Sequence, residues 1–498
     1  MKSHLITIVT GLIVCTVPYP TTAHNLIHHS LSRDESKPRE SLAIDLAQDI
    51  ESNPQSAEDY YNRARLHYES GQAQKALADL NRALELNPNY AIAYFNRGLL
   101  YKQLGQAQKA IADFNRALEL DPNYALNYYN RGLLYKQLGQ AQKAIADFNR
   151  ALELDSNYAL TYLNRGILYY ESGQAQKALA DYDRAIELDS QLAEAYGNRG
   201  NLYYESGQVQ KALADYDRAI KLDSQLAQAY VNRGLLYKQS GQAQKALTDY
   251  DRAIELNPRL AQAYVNRGLL YYESEQTEKA SADYDQAIKL NPNYAEAYLN
   301  RGNLYKQSGQ ARKALTDYNR AIELNPNYAK AYYNRGILYG ESGQTEKALT
   351  DYDRAIELDS QLAEAYYNRG VLHAQSGEAQ KALFDFNRAI ELNPNYAEAY
   401  VGRGIVYKQS GQAQKALTDY DRAIELDLQL AEAYANRGVL YVQLANISQA
   451  KEDFEQAADL FLQQGNDRLY QRVNQILQQL ELMREAISSK LIKMEVCN

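Results

Sequence analysis

Residues 91–124 read AIAYFNRGLLYKQLGQAQKAIADFNRALELDPNY, and this stretch decides the fold. Tyr94, Gly98 and Tyr101 are spaced i, i+4 and i+7, which places them on one face of a helix. Gly105 then interrupts the pattern, as a turn or helix C-terminus does. The first half of the stretch therefore predicts one amphipathic helix followed by a turn.

The second half repeats the pattern. Ala110, Phe114 and Ala117 again follow i, i+4 and i+7 spacing, and Pro122 marks the end of this second helix. The small residues let the two helices approach closely, while the aromatic rings fill the space between them. Residues 91–124 are thus predicted to form a helix-turn-helix hairpin.

The hairpin pattern recurs with a period of 34 residues. The dipeptide Asn-Arg marks each copy, except that Gly402-Arg403 stands in one slot. Twelve copies tile the chain, at 57–90, 91–124, 125–158, 159–192, 193–226, 227–260, 261–294, 295–328, 329–362, 363–396, 397–430 and 431–464. One hairpin cannot bury both of its apolar faces, so stacked copies must share a continuous core. The period predicts an all-α solenoid.

Both ends of the chain differ from the repeats. Residues 1–23 have a positive start, an apolar run and small residues before His24, which is the pattern of a secretory signal peptide, with an uncleaved anchor as the alternative. Residues 24–56 are predicted to hold a linker and an N-terminal capping helix. Residues 465–498 are predicted to hold a C-terminal capping helix and tail, because Leu469, Val473, Ile476, Leu477 and Leu480 form an apolar stripe.

Composition and motifs exclude several functions. A net charge of −8 gives no overall attraction to nucleic acid. No phosphate-binding loop, Cys-x-x-Cys or His-Glu-x-x-His pattern occurs, so we expect no enzymatic activity, metal or cofactor. His24, His28 and His29 cluster near the start but are interpreted as a solvated tail rather than a metal site.

Two further features of the sequence concern the geometry of the hairpins. Every copy carries an Arg on its first helix and an Asp 16 residues later, such as Arg97 and Asp113, and we interpret them as a structural ion pair. Glu275 and Ala445 replace the turn glycine in two copies, so we expect distorted or looser turns there.

The recurring aromatic, Gly, Tyr, Ala, aromatic, Ala and Pro positions resemble the tetratricopeptide repeat family, over about four-fifths of the chain. The Asn-Arg-Gly motif is similar to a bacterial variety of that repeat. The resemblance implies a right-handed superhelix in which the first helices line a concave groove. It also implies that the groove holds extended segments or helices of partner proteins.

Candidate groove residues follow from that resemblance. The recurring Asn faces the groove in the family and can grip a peptide backbone, although a hydrogen bond to the neighbouring repeat is the equal alternative. The slot before it varies, and Tyr129, Tyr333 and Tyr367 in that slot are further candidates. The candidates are Asn96, Asn130, Asn164, Asn198, Asn232, Asn266, Asn300, Asn334, Asn368, Tyr129, Tyr333 and Tyr367.

These observations predict an exported, non-catalytic scaffold for protein partners, located in a periplasm, outside the cell or in an internal lumen. We expect no membrane insertion once the signal is cleaved, and the oligomeric state stays open. The alternative is a self-associating structural protein of the cell envelope, or an assembly factor for a membrane complex.

Overall fold

The computed structural model describes residues 54–496, with side chains to residue 482. The predicted signal peptide, the linker with its capping helix, the histidine cluster and Cys497 lie outside those ranges. Every regular element in the described part is a helix, which confirms the predicted all-α class.

The helices follow one another in pairs. They are α1 (Ala57–Glu69), α2 (Ala73–Leu86), α3 (Ala91–Gln103), α4 (Ala107–Leu120), α5 (Ala125–Gln137), α6 (Ala141–Leu154), α7 (Ala159–Glu171), α8 (Ala175–Leu188), α9 (Ala193–Glu205), α10 (Val209–Leu222), α11 (Ala227–Gln239), α12 (Ala243–Leu256), α13 (Ala261–Glu273), α14 (Thr277–Leu290), α15 (Ala295–Gln307), α16 (Ala311–Leu324), α17 (Ala329–Glu341), α18 (Thr345–Leu358), α19 (Ala363–Gln375), α20 (Ala379–Leu392), α21 (Ala397–Gln409), α22 (Ala413–Leu426), α23 (Ala431–Gln443), α24 (Ile447–Gln463) and α25 (Asp467–Val496).

The chain divides into two compact units, Met1–Arg267 and Gly268–Asn498. In the first, the described hairpins run from α1–α2 to α11–α12, and each second helix up to α10 packs against the first helix of the next hairpin. In the second, the same packing runs from α14 onward to α24, which contacts α25. Each unit therefore has its own continuous series of packed hairpins.

A glycine and an aromatic ring set the distance between the two helices of a hairpin. A Cβ atom added at Gly98 would lie 2.6 Å from Cε1 of Phe114, closer than carbon atoms approach. Phe114 is fully buried, as is Ala110 beside it, and Ala117 is nearly so. The first-helix glycine is thus required because the ring of the second helix occupies the place of its side chain.

The turn inside each hairpin uses a left-handed residue. Gly105 has φ +70°, and the amide of Gln106 donates to the carbonyl of Tyr101 at 2.8 Å. Glu275 and Ala445 adopt φ 59° and 58°, and the equivalent bonds, from Gln276 and Asn446, are also 2.8 Å long. The expectation of distorted turns at these two positions is wrong, because the surrounding hairpin imposes the same geometry on a residue with a Cβ atom.

The predicted pairing of Arg and Asp is confirmed by bidentate contacts. Arg97 donates from Nε to Oδ2 and from Nη2 to Oδ1 of Asp113, both at 2.7 Å. The third nitrogen, Nη1, donates to Oδ1 of Asn81 on α2, in the preceding hairpin, at 2.8 Å. The same guanidinium lies over the rings of Tyr94 and Tyr101. One arginine therefore ties three helices together.

The final helix closes the second unit on its apolar side. Val473 and Leu480 are buried against Phe454 and Phe461, and the rest of the stripe predicted from the sequence packs around them. Helix α25 extends from Asp467 to Val496, so it takes up most of the range predicted for the capping helix and tail.

We expect Ala445→Gly to raise the free energy of unfolding by about 1 kcal/mol, because glycine removes the steric cost of a left-handed backbone. Urea denaturation followed by circular dichroism measures the change. The control is Leu444→Gly, at the neighbouring position with φ −87°, where glycine should destabilise. Equal effects of the two variants would contradict the strain at Ala445.

We expect Asp113→Ala to cost about 3–5 kcal/mol, because it leaves a mostly buried guanidinium without its carboxylate. Arg97→Ala and the double variant complete a cycle by urea denaturation. The double variant should be clearly more stable than the sum of the single losses implies. Additive losses would show that the pair contributes nothing as a pair.

Candidate functional site

The predicted asparagines lie on one side of the first helices. We call it the first-helix face and define it by Ile92, Asn96, Leu99 and Lys102 of α3, with the positions 34-residue multiples away from them. The spacing of these positions keeps them on one side of the helix. In α3 all four are half-buried, so the face is neither a closed core nor a fully solvated surface.

Two of the candidate asparagines use both the oxygen and the nitrogen of the side-chain amide in internal hydrogen bonds. Asn130 accepts from Nζ of Lys102 at 2.9 Å and donates to the carbonyl of Leu126 at 2.8 Å. Asn164 repeats this arrangement with Lys136. Their amides are occupied by internal hydrogen bonds.

Four other asparagines donate to the preceding hairpin. Asn96 donates to the hydroxyl of Tyr61 at 2.8 Å, and Asn368 donates to that of Tyr333 at 3.1 Å. The remaining two donate to an asparagine amide oxygen: Asn232 to Asn201 and Asn334 to Asn303, both at 2.8 Å. The neighbouring-repeat alternative is thus the one observed at these four positions.

The last three candidates have unpartnered amides. Nδ2 of Asn266 in the first unit, and Nδ2 of Asn300 in the second, are buried with no hydrogen-bond partner in the described part of the chain. Asn198 is 7% exposed, and among the described residues its amide makes no hydrogen bond. The recurring Asn is therefore not a uniform ligand-binding row.

The three candidate tyrosines pack against the next helices of their own unit. Tyr129 is 6% exposed and meets Tyr158 edge-on, with ring centroids 4.9 Å apart. Tyr333 lies against Tyr352. Tyr367 lies between two rings, those of Phe386 and Tyr396. Tyr129 in particular belongs to the core between hairpins, because its ring is covered by its neighbours.

The character of the face changes along the chain, which the sequence analysis missed. The second position of the repeat is apolar at Ile92, Leu126 and Leu160, and all three are half-buried. In the last three hairpins of the second unit the same position is an exposed glutamate, at Glu364, Glu398 and Glu432. Aligning this position between repeats would have shown the change.

The glutamates of the second unit lie near tyrosine hydroxyls. Burial raises the pKa of Tyr367, and the carboxylates of Glu398 and Glu432 raise it further. Glu364 adds to the effect of burial on the pKa of Tyr333 in the same way. Rings and carboxylates thus share one surface, which favours a cationic ligand there.

Among the residues that the structure describes, no group of His, Cys, Asp and Glu could hold a metal ion. In that part of the chain, no helix is both long and apolar enough to span a bilayer. His373 is engaged by Glu378, whose carboxylate lies 2.5 Å from Nδ1.

Burial lowers the pKa of Lys102 to about 8. Between about pH 8 and the ordinary lysine pKa of 10.5, Lys102 binds a proton in the unfolded chain but not in the folded chain. The contribution of this group to the free energy of unfolding therefore rises with pH over that range. We expect Lys102→Met to remove that rise, which amounts to at most about 3 kcal/mol. Urea unfolding at a series of pH values tests this. The control Lys109→Met makes the same charge change at an exposed position, and its free energy of unfolding should still rise with pH. If the rise disappears in this variant too, groups other than Lys102 cause it.

The comparisons with known proteins agree with this geometry. Models described as "TPR repeat" match residues 64–105, 134–173, 166–207, 200–241, 234–275, 269–309, 302–343, 338–377 and 406–444. Models described as "Tetratricopeptide repeat" match 91–124, 114–146, 363–396, 386–418 and 431–463. A search of curated proteins finds no match to the chain.

Solved structures with a similar chain path include three helical-repeat proteins. The chain is 14% identical to one in the APC/C hetero-tetramer Cut9-Hcn1, with TM-score 0.49, covering 90% of this chain and 94% of that one. It is 19% identical to yeast Tom70, with TM-score 0.37, covering 89% and 99%. It is 26% identical to YrrB, described as a TPR protein with an unusual peptide-binding site, with TM-score 0.32, covering 38% and 97%.

The family models span most of the chain, and the hairpins have the matching length and packing. The chain belongs to the tetratricopeptide repeat family.

Proposed function

We propose that the chain is an exported, non-catalytic scaffold that binds segments of partner proteins along the first-helix face. The observation that supports the proposal is that the contacts between helices stay constant from hairpin to hairpin while the residues of the first-helix face vary. The Arg–Asp pair recurs in hairpin after hairpin, while the second position of the repeat changes from Ile92 to Glu398. A rigid frame with a variable face suits recognition of a specific segment.

Near the start of the first unit, the proposed contact is apolar. A small, solvent-open cleft lies where the first two hairpins meet, and it is lined by Ala64, Arg65, Tyr68, Leu80, Asn96, Leu99 and Leu100. Leu126 and Leu133 continue the apolar character of the face on α5. Apolar side chains of a partner segment would bury surface here.

In the second unit, the proposed contact is electrostatic. Glu364, Glu398 and Glu432 recur at the same position of α19, α21 and α23, and all three are exposed. Like charges at fixed spacing on one face attract a segment with basic residues and speed its association.

Export is part of the proposal and rests on the pattern of residues 1–23, which lie outside the described residues. Mass spectrometry of the protein from its native cell tests it. A mature chain that starts at His24, recovered from the periplasm, the medium or a lumen, is the expected result. An intact N-terminus in the cytosol would remove export from the proposal.

We expect the triple change of Glu364, Glu398 and Glu432 to Gln to reduce capture of protein partners from the native compartment at least tenfold at low salt. The matched control changes Glu357, Glu391 and Glu425 to Gln, which alters net charge equally on second helices. Quantitative mass spectrometry of the captured proteins compares the two sets.

Unchanged capture by the first triple variant would show that the three glutamates do not contribute to partner binding. Equal losses in both triple variants would assign the effect to overall charge. Sedimentation of the purified chain over a range of concentrations addresses the alternative of self-association, which requires a mass that grows with concentration.

A further inference from the structure

The slot before the recurring Asn holds a glycine at one place in the chain. The slot is filled by larger residues elsewhere: Tyr61, Phe95, Tyr129, Leu163, Val231, Val265, Leu299, Tyr333, Tyr367, Val401 and Ala435. Gly197 stands there in α9, and a Cβ atom added to it would meet nothing within 4 Å. Unlike Gly98, this glycine is not forced by a close neighbour, so it leaves space where other hairpins have a side chain.

The space is a polar pocket inside the first unit. It is small and open to solvent on one side, and it is lined by Glu194, Gly197, Asn198, Asn201, Tyr216, Leu226, Ala229 and Asn232. All of these residues come from α9, α10, α11 and the loop before α11. The pocket opens on the first-helix face, because Glu194 and Asn198 occupy the positions of Ile92 and Asn96.

One wall of the pocket is fixed by hydrogen bonds. Oδ1 of Asn201 accepts from the hydroxyl of Tyr216 and from Nδ2 of Asn232, both at 2.8 Å. Oδ1 of Asn232 in turn accepts from Nε2 of Gln228 at 2.9 Å. These buried side chains are pre-organised by one another, so the wall does not need to rearrange when a ligand enters.

Two other lining residues of the pocket have acceptors that make no hydrogen bond to the described residues. Asn198 is 7% exposed, and its amide makes no hydrogen bond to any part of the chain that the structure describes. Glu194 likewise makes no hydrogen bond or close ion pair with the described residues. Burial raises the pKa of Glu194, while the more distant Lys136 offsets part of that effect and has its own hydrogen bond to Asn164.

We propose that this pocket binds an arginine side chain of the partner segment, with the guanidinium between the Glu194 carboxylate and the Asn198 amide oxygen. A guanidinium has several donors in one plane and is more weakly hydrated than an ammonium group, so it can serve both acceptors at low desolvation cost. The apolar part of the arginine would pass Leu226 and Ala229. This inference rests on the proposed function, since it names a side chain that the first-helix face would recognise.

The full chain can be tested with a small probe, without knowledge of the partner. The probe is N-acetyl-arginine-N-methylamide, titrated against the protein and followed by ligand-observed NMR. The comparison probes are the lysine analogue and the neutral citrulline analogue, which has almost the shape of arginine. We expect the arginine probe to bind at one site with millimolar affinity, and the citrulline probe at least tenfold more weakly.

Three variants locate the site. Gly197→Leu places in the pocket the side chain that Leu163 and Leu299 have at the same position, so it should abolish binding while thermal unfolding occurs at the same or a higher temperature. Glu194→Gln should weaken binding at least tenfold. Glu187→Gln is the matched control: it removes the same charge from an exposed position on the second helix α8 of the same unit, away from the first-helix face, and should leave probe binding unchanged.

Specified results overturn the inference. They are equal binding of the arginine and citrulline probes, equal or tighter binding of the lysine probe, or persistence of arginine binding in a folded Gly197→Leu variant. If the arginine probe fails to bind but protein partners are still captured through the first-helix face, the arginine pocket is wrong and the scaffold function stands. If the probe binds as expected but no protein is captured, the pocket stands and the scaffold function fails.

Discussion

The structure depends on one arginine per hairpin, placed where three helices meet. Arg97 uses its guanidinium to hold Asp113 in its own hairpin and Asn81 in the preceding one, and Arg437 makes the same contacts with Asp453 and Asp421. Guanidinium groups suit this position because they are planar, always charged and have donors on several sides. Replacing the aspartate would leave a largely buried guanidinium without its partner. Only a packing of neighbouring hairpins that brings the two groups together is therefore acceptable, and this restriction matters more than the net stability that the pair adds.

Small residues and rings set the remaining geometry. The approach of Phe114 to Gly98 fixes the distance between helices, and the left-handed turn residue fixes the direction in which the second helix returns. The constraint is strong enough that Ala445 accepts the conformation of a glycine. Since the frame needs only these few positions in each hairpin, the rest of the first-helix face can vary without loss of the fold.

The variation explains how the same repeat can present different chemistry. Asn130 is held between Lys102 and the carbonyl of Leu126, whereas Asn232 joins the network that fixes the wall of a pocket. The difference follows from the neighbours: Asn201 replaces an apolar residue one turn along the preceding first helix and supplies the acceptor. A single change at one repeat position thus alters the role of an identical residue in the next repeat.

Sequence alone determined the architecture of the repeats, because a 34-residue period of small, aromatic and apolar positions is a local signal copied along the chain. It also indicated the Arg–Asp pairs, since charges 16 residues apart on antiparallel helices can meet. It could not determine which candidates were available to a ligand, because that depends on contacts between hairpins. Only the tertiary structure placed Tyr129 in the core, gave most of the asparagines internal partners and left Asn198 facing the space made by Gly197. A side chain's partners are set by what packs beside it in three dimensions, and residues 34 apart become neighbours only after the hairpins stack.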